Sequence, residues 1–264
     1  YLMTKDGLVV MASETGVLDI APERVLSKGR LEPGKMFLID TREGRIIEDK
    51  ELKDFYARRK PYGKWLKENL VLLEDLPAPK KPGVLNEKTL LKRQQVFGFT
   101  QEDLKVVMKP MVENGEEATG SMGAHNPIAV LSERPQPLFH YFHQLFAQVT
   151  NPPVDAIREE IVMAENVYLG SEQNLLDETP EHARRLRLPR PILSNKELAQ
   201  IAEVHRAGLK AKTLRTVFPV ADGPDGLDAA MTRLFAEADQ AVSEDANILI
   251  LSDREVGDQK APIP

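Results

Sequence analysis

The sequence predicts an α/β protein, α+β at its N-terminal end. Three observations lead there. Short apolar runs alternate with turn residues before position 50. Apolar residues then recur at helical spacing through the middle of the chain. A strand, a helix and a second strand follow one another between Thr216 and Ser252. That last succession implies a parallel pair whose crossover is the helix. The 264 residues are 42% hydrophobic, enough for a sizeable core, and suggest one large domain or two ordinary ones.

The elements read in order as follows. Leu8–Ala12 is an apolar run. Met36–Asp40 and Arg45–Ile47 flank Thr41-Arg42-Glu43-Gly44, a short polar loop with glycine. This pattern predicts a hairpin, preceded by a turn at Pro33-Gly34. Residues 50–76 read as polar helix. Between Asp54 and Arg93 ten Lys/Arg stand against five Asp/Glu, a local charge of +5. Pro77, Pro79 and Pro82 fall within six positions and cannot continue a helix or a central strand. The expected division is therefore 1–76, a linker at 77–83, and 84–264.

Residues 84–216 read as mostly helical. Thr100 with Asp103 marks one helix start before Leu104, Val107 and Met108. Pro137 opens a second helix, with Leu138, Phe142, Leu145, Phe146 and Val149 at helical spacing, ended by Asn151-Pro152-Pro153. Thr179-Pro180 reads as a cap and first position. Ser194 with Glu197 forms a capping-box pattern, and Gly208 is the expected end of that helix. The predicted βαβ unit then runs from a strand at Thr216–Val220, through a stripe of Leu227, Ala230, Met231, Leu234, Phe235, Ala238 and Val242, to Ile248–Leu251.

Charge and composition restrict the function. Net charge is −6, and from Val217 onward ten acidic residues face three basic ones. A duplex nucleic-acid binder usually carries a basic surface, so no nucleic-acid partner is expected. No run approaches eighteen consecutive apolar residues, so no membrane-spanning helix is expected either. Tyr1–Gly7 carries no signal-peptide pattern. There is no cysteine. Disulfides, a thiolate nucleophile, cysteine-ligated zinc and iron–sulfur ligation are excluded within these residues.

Each candidate for chemistry has a plainer reading. His140 and His143 lie three apart on the predicted helix, yet a metal site needs a third ligand. They read as polar-face or core-edge histidines. Asp222-Gly223 and Asp253 follow two predicted strands, the end where parallel sheets bind ligands, but without a Gly-rich phosphate motif. Arg184, Arg185, Arg187 and Arg190 could fork onto phosphates or carboxylates. Asp177, Glu178 and Glu181 lie just upstream, so the patch reads as an ion-pair surface. Gly120-Ser121-Met122-Gly123 lacks the spacing of a nucleophile elbow. Ser13 and Ser132 belong to no nucleophile pattern. Asp155, Glu159 and Glu160 read as an acidic first turn. No catalytic, cofactor-binding or metal-ligating residue is assigned.

Several blocks carry a resemblance. Phe142–Glu160 reads FHQLFAQVTNPPVDAIREE. Before it stand Gly120–Gly123 and Pro127–Ser132; after it stand Asn174–Leu176 and Glu178–Ala183. Thr4–Asp19 (TKDGLVVMASETGVLD), Lys28–Asp40 (KGRLEPGKMFLID) and Arg93–Thr100 add to them. Together they resemble the large chain of glutamate synthase over essentially the whole sequence. The chain departs from that pattern at Ala124-His125-Asn126 and at Ala164-Glu165-Asn166, in connecting or helix-surface positions.

The resemblance implies the tail of a class II amidotransferase sandwich over 1–76, and a helix-rich α/β central domain over 84–264, incomplete at its C-terminus. It implies an enzyme that hydrolyses glutamine, carries the ammonia through a tunnel and reduces its adduct with 2-oxoglutarate. FMN and an iron–sulfur cluster are implied for that enzyme, none of them in this segment. The implied partners are the remaining domains of the same large chain, and an NAD(P)H-oxidising small subunit or ferredoxin. The implied compartment is cytoplasmic. The expected piece is a link between two active sites, inactive alone. A free-standing scaffold and an anion-binding α/β module using Asp222, Gly223 and Asp253 are the competing expectations.

Overall fold

The computed structural model describes residues 1–81, 87–116, 130–131, 133, 138–142, 145–147, 149, 153–206 and 208–264. By packing, the chain forms two units, Tyr1–Asn69 with Asn151–Glu165, and Leu70–Thr150 with Asn166–Pro264.

The strands are β1 (Leu2–Thr4), β2 (Val9–Val10), β3 (Val25–Lys28), β4 (Leu38–Asp40), β5 (Arg45–Ile47), β6 (Val71–Leu72), β7 (Val167–Leu169), β8 (Leu186–Leu188), β9 (His205–Arg206), β10 (Leu209–Arg215), β11 (Val217–Pro219), β12 (Ile248–Ser252) and β13 (Lys260–Pro262). The helices are α1 (Asp49–Arg58), α2 (Tyr62–Asn69), α3 (Glu87–Val96), α4 (Lys109–Asn114), α5 (Ala156–Val162), α6 (Asn195–Ala202) and α7 (Gly223–Ser243). A π-helical stretch, Asp103–Met108, leads into α4. Among the described residues, no helix is long and apolar enough to cross a membrane.

In the first unit β1 lies between β2 and β3, antiparallel to both. The buried Thr4 hydroxyl accepts from the Leu8 amide at 2.9 Å and closes the β1–β2 turn. The hairpin at 38–47 is present, with Leu38 opposite Ile47 and Asp40 opposite Arg45. Its loop follows from its sequence. The Asp40 carboxylate accepts from the Arg42 amide at 2.8 Å and the Glu43 amide at 3.0 Å. The predicted turn at Pro33-Gly34 also forms. Gly34 has φ +69, and a Cβ there would stand 2.7 Å from Ile157 of α5, so glycine serves both the turn and the close approach.

The second unit holds the main core. Leu186, Leu188, Ile201, Val204, Leu209, Ile248, Val71, Leu73 and Leu76 form one buried cluster. Three small sheets meet around it or beside it. One runs β6-β8-β7, with β6 parallel to β8. Another runs β12-β10-β9, with β12 parallel to β10 from Ala211↔Ile248 to Arg215↔Ser252. The third is the antiparallel pair β11-β13.

The structure moves several expected boundaries. Helix was expected through residue 76, yet Val71–Leu72 is a strand and Leu73–Asp75 a 3-10 turn. Val71 and Leu73 are both buried, which is a strand's two-residue period. The stretch 84–216, expected as mostly helical, also contains β7, β8, β9 and β10. Leu186-Arg187-Leu188 alternates apolar and polar residues over a run too short to display helical periodicity, and in Leu209–Arg215 the alternation breaks at Thr213-Leu214. Gly208, expected to end a helix, sits at φ +82 in the turn from β9 to β10, and α6 ends earlier, at Ala202.

The predicted βαβ unit exists with a different first strand. Val217–Pro219 is a strand, but it pairs antiparallel with Lys260–Pro262. The parallel partner of Ile248–Ser252 is Leu209–Arg215. Of the helix expected from Pro137, the structure shows a 3-10 turn at Leu138–Tyr141. Beyond it Phe142 is 70% and Leu145 86% exposed, and neither is helical. Helical stability comes mainly from packing an apolar face, and Phe142 and Leu145 are not packed against the described residues. Pro137, His143 and the loop around Ser121 lie outside the described residues, as does the side chain of His140. Thr179-Pro180 opens a 3-10 turn, Pro180–Ala183, rather than a longer helix.

Candidate functional site

The carboxyl ends of parallel strands are where an α/β fold gathers ligands. Among the described residues there are two such places, both in the second unit. At the end of β10, the Thr216 amide donates to the Ser252 carbonyl at 2.9 Å and ties the two strand ends together. The chain then runs through β11 and a 3-10 turn, Val220–Asp222, into α7. A cavity of about 340 Å³ opens here, lined by Arg215, Phe218, Asp222, Arg233, Glu255 and Lys260 among others.

Three of its charged side chains meet in one network. Arg215 Nε donates to Glu255 at 2.9 Å, and Lys260 Nζ reaches the other oxygen of the same carboxylate at 2.5 Å. The Lys260 hydrogen bond, followed by the Arg215 charge, holds the Glu255 carboxyl below its ordinary pKa. Arg233 donates to the Val217 carbonyl at 3.0 Å and the Arg215 carbonyl at 3.3 Å. Chemically this is a clamp. It pins the 253–260 turn to the end of β10.

The sequence candidates separate here. Asp222 lines this cavity and Asp253 does not. Since β11 and β12 belong to different sheets, Asp222 and Asp253 do not end neighbouring parallel strands. Glu255, the centre of the clamp, was not among the candidates. Its partners lie 40 positions upstream and five downstream, which no local motif reveals.

The second place is the end of β6 and β8. A cavity of about 580 Å³ there includes Glu74, Arg187, Arg190, Ser194 and Glu197. Ser194 caps α6 as its sequence predicts. Its hydroxyl accepts from the Glu197 amide at 3.2 Å, and the Glu197 carboxylate accepts from the Ser194 amide at 2.7 Å. The Ser194 bonds are the leading reason that the Glu197 carboxyl sits below its ordinary pKa. The same carboxylate holds Arg190 at 2.9 Å.

The arginine patch is an ion-pair and hydrogen-bond surface, as expected. Arg184 pairs with Glu181 at 3.1 Å. Arg185 donates to the Gly170 carbonyl at 3.3 Å. Arg187 donates through Nε and Nη2 to the Asn166 side-chain oxygen at 3.2 and 3.0 Å. Asp155 is a helix cap, accepting from the Ile157 and Arg158 amides. Among the described residues, no group of three His, Asp or Glu side chains could hold a metal ion.

Sequence relationships account for a chain rich in joints. Residues 92–264 match the family model described as the glutamate synthase central domain. Residues 1–65 match the model of class II glutamine amidotransferases. The chain belongs to the glutamate synthase family. Over 264 residues it is 42% identical to the glutamate synthase (NADPH) large chain of Bacillus subtilis (strain 168), covering all of this chain and 17% of that one. It is 41% identical over 278 residues to the glutamate synthase (NADH) of Schizosaccharomyces pombe, all of this chain and 13% of that one. It is 41% identical over 255 residues to the chloroplastic ferredoxin-dependent glutamate synthase of Spinacia oleracea, 96% of this chain and 16% of that one. The chain thus spans less than a fifth of each relative. In glutamate synthase terms, the 38–47 hairpin and α1 fall in the amidotransferase match. Both cavities have most of their lining in the central-domain match.

Proposed function

We propose that this chain is the segment of a glutamate synthase large chain that links its glutaminase and FMN synthase sites. The whole enzyme would convert glutamine, 2-oxoglutarate and reductant to two glutamates, in the cytoplasm. On this reading residues 1–76 close the glutaminase domain, 77–83 link, and 84–264 belong to the central domain. The observation that carries it is the order of the two family matches, amidotransferase then central domain, within relatives aligned along the whole chain. The segment is not catalytic alone. Ammonia at neutral pH is largely ammonium, a poor nucleophile, so a sheltered path between the sites keeps it reactive and out of bulk water.

The residues present do not fit the iron–sulfur cluster of that reaction. A thiolate-ligated cluster needs cysteines, and the sequence has none. The cluster and the cysteine nucleophile of the glutaminase are therefore assigned to other parts of the large chain, and on the family relationship the FMN site is assigned there too. Electrons would come from NAD(P)H through a small subunit, or from ferredoxin.

The test is the product of the native gene, measured as intact mass and visible spectrum, then assayed for glutaminase and glutamate synthesis. We expect a mass several-fold above 29.6 kDa, flavin absorbance and both activities, with neither activity in the 264-residue segment. A colourless product near 29.6 kDa overturns the reading.

A further inference from the structure

Asn114-Gly115, at the end of α4, is the one place in the sequence where glycine follows asparagine. The helix has no buried residue, and residues 111–116 are all exposed. Gly115 closes it from φ +65, the left-handed conformation of a helix C-cap, and its amide donates to the Met111 carbonyl at 3.1 Å. The other described asparagines are held differently. Asn69 and Asn247 donate to backbone carbonyls at 2.9 and 2.6 Å, and Asn174 donates to Asp177 at 2.8 Å. Asn166 accepts from Arg187 and Asn195 from Arg254, at 3.0 and 2.8 Å.

The pair favours attack of the backbone on the side chain. Between the Gly115 nitrogen and Asn114 Cγ stand the Asn114 C, Cα and Cβ, so a bond between them closes a five-membered ring. Glycine leaves that nitrogen unshielded. It has no Cβ, and among the described residues, its chain neighbours aside, no atom lies within 4 Å of where one would stand. The obstacle is the hydrogen bond from Gly115 to Met111. It closes the last turn of a six-residue helix with no buried face, and a helix so short is marginal and opens readily at its end.

We propose that Asn114 is a site of spontaneous deamidation in the native protein, and that the change releases the C-cap of α4. The Gly115 nitrogen bonds to Asn114 Cγ and gives up its proton, while the Cγ–Nδ2 bond breaks and ammonia leaves. Water then opens the cyclic imide at one of its two carbonyls. Opening at the side-chain carbonyl gives aspartate. Opening at the main-chain carbonyl gives isoaspartate, whose backbone runs through Cβ and is one carbon longer. That extra carbon takes the Gly115 amide out of register with the Met111 carbonyl. Either product sets a carboxylate between Glu113 and Glu116 at the negative end of the helix, which disfavours the last turn further. Water is the only co-reactant, so the change accumulates with the age of the protein.

The experiment ages the intact product of the native gene in neutral buffer and maps its peptides by mass. An isoaspartyl methyltransferase with labelled methyl donor marks the isoaspartate. We expect asparagine to be lost at 114 at least about tenfold faster than at any of the other eight, a barrier lower by about 1.4 kcal/mol, with the label in the same peptide. Amide exchange over 109–115 should quicken as the label accumulates. An Asn114→Gln variant keeps the amide but needs a six-membered ring, so it should stay unlabelled and keep its slower exchange. Asparagine that persists at 114 as long as elsewhere overturns the proposal. So does loss confined to denatured protein, which would mean that the intact fold shelters the pair. Deamidation with unchanged exchange over 109–115 overturns the release of the cap.

Discussion

The two units of this chain hold themselves together by different means. In the second, aliphatic side chains from β6, β8, β10, β12 and α6 close on one another, and Leu186 is completely buried. In the first, Leu52 is the buried apolar residue among those described, while Leu18, Leu26, Leu31 and Phe55 stand more than half exposed. That unit is tied by polar links instead. Arg45 of β5 bridges Glu43 of the hairpin loop and Glu51 of α1, and Asp49 accepts from the Met36 amide while pairing with Lys53. Exposed ion pairs contribute little each, whereas burial of an aliphatic side chain contributes roughly 1.5–3 kcal/mol. The second unit therefore carries most of the stability, and the first is expected to depend on solution conditions.

The largest test of this contrast is a pair of truncations. Leu186→Ala removes a fully buried side chain and should destabilise by about 2–5 kcal/mol. Leu31→Ala, at an exposed position, should change stability by less than about 0.5 kcal/mol. Urea unfolding of the two variants measures both. Equal effects would mean that the first unit has a core of its own.

A smaller effect tests how tightly the second unit is packed. Gly226 lies in α7, where alanine would ordinarily be the better helix former by about 1 kcal/mol. Here a Cβ would stand 2.5 Å from the Asp222 Cβ and 3.2 Å from the Phe218 ring. The clash forces the helix start away from β11, so Gly226→Ala should lower stability by about 1–3 kcal/mol. A raised melting temperature would show that α7 is free to shift.

What could be read in advance follows the same division between local and distant causes. The hairpin was legible because Asp40 and Gly44 act within their own loop. The α6 start was legible because Ser194 and Glu197 satisfy each other three residues apart. The crossover was misplaced by one strand for a tertiary reason. Leu209–Arg215 carries Lys210, Lys212 and Arg215 and looks less strand-like than Val217–Pro219. Yet Lys210 Nζ reaches the Glu244 carbonyl at 2.5 Å, and its amide donates to the Asn247 side chain at 3.0 Å. These partners lie more than thirty positions away. The Glu255 clamp was missed on the same ground, and the apolar stripe at 138–149 was read as a helix because its pattern does not state whether a packing face exists.

The smallest effect separates the units by pH. In the first unit, Asp40 is held below its ordinary pKa by the Glu43 and Arg42 amides, Asp49 by Lys53, Glu51 by Arg45 and Asp155 by Arg158. A depressed carboxylate contributes stability above its unfolded pKa, near 4, and that contribution disappears as pH falls through the lower folded value. Acidification below about pH 4 therefore loosens the polar links of the first unit and, in the second, those of Glu197 and Glu255, while the aliphatic cluster itself carries no titrating group. The single tryptophan, Trp65, lies in α2 of the first unit. The twenty-one-residue α7 is the longest helix of the second among the described residues. Titrated from pH 7 downward, Trp65 emission should shift before far-ultraviolet circular dichroism falls. Added salt should move the Trp65 transition to higher pH, because it screens the exposed pairs that hold the first unit at neutral pH and so weakens it before any acid is added. Coincident transitions at every salt concentration would mean that the polar links are incidental and that the first unit takes its stability from the second.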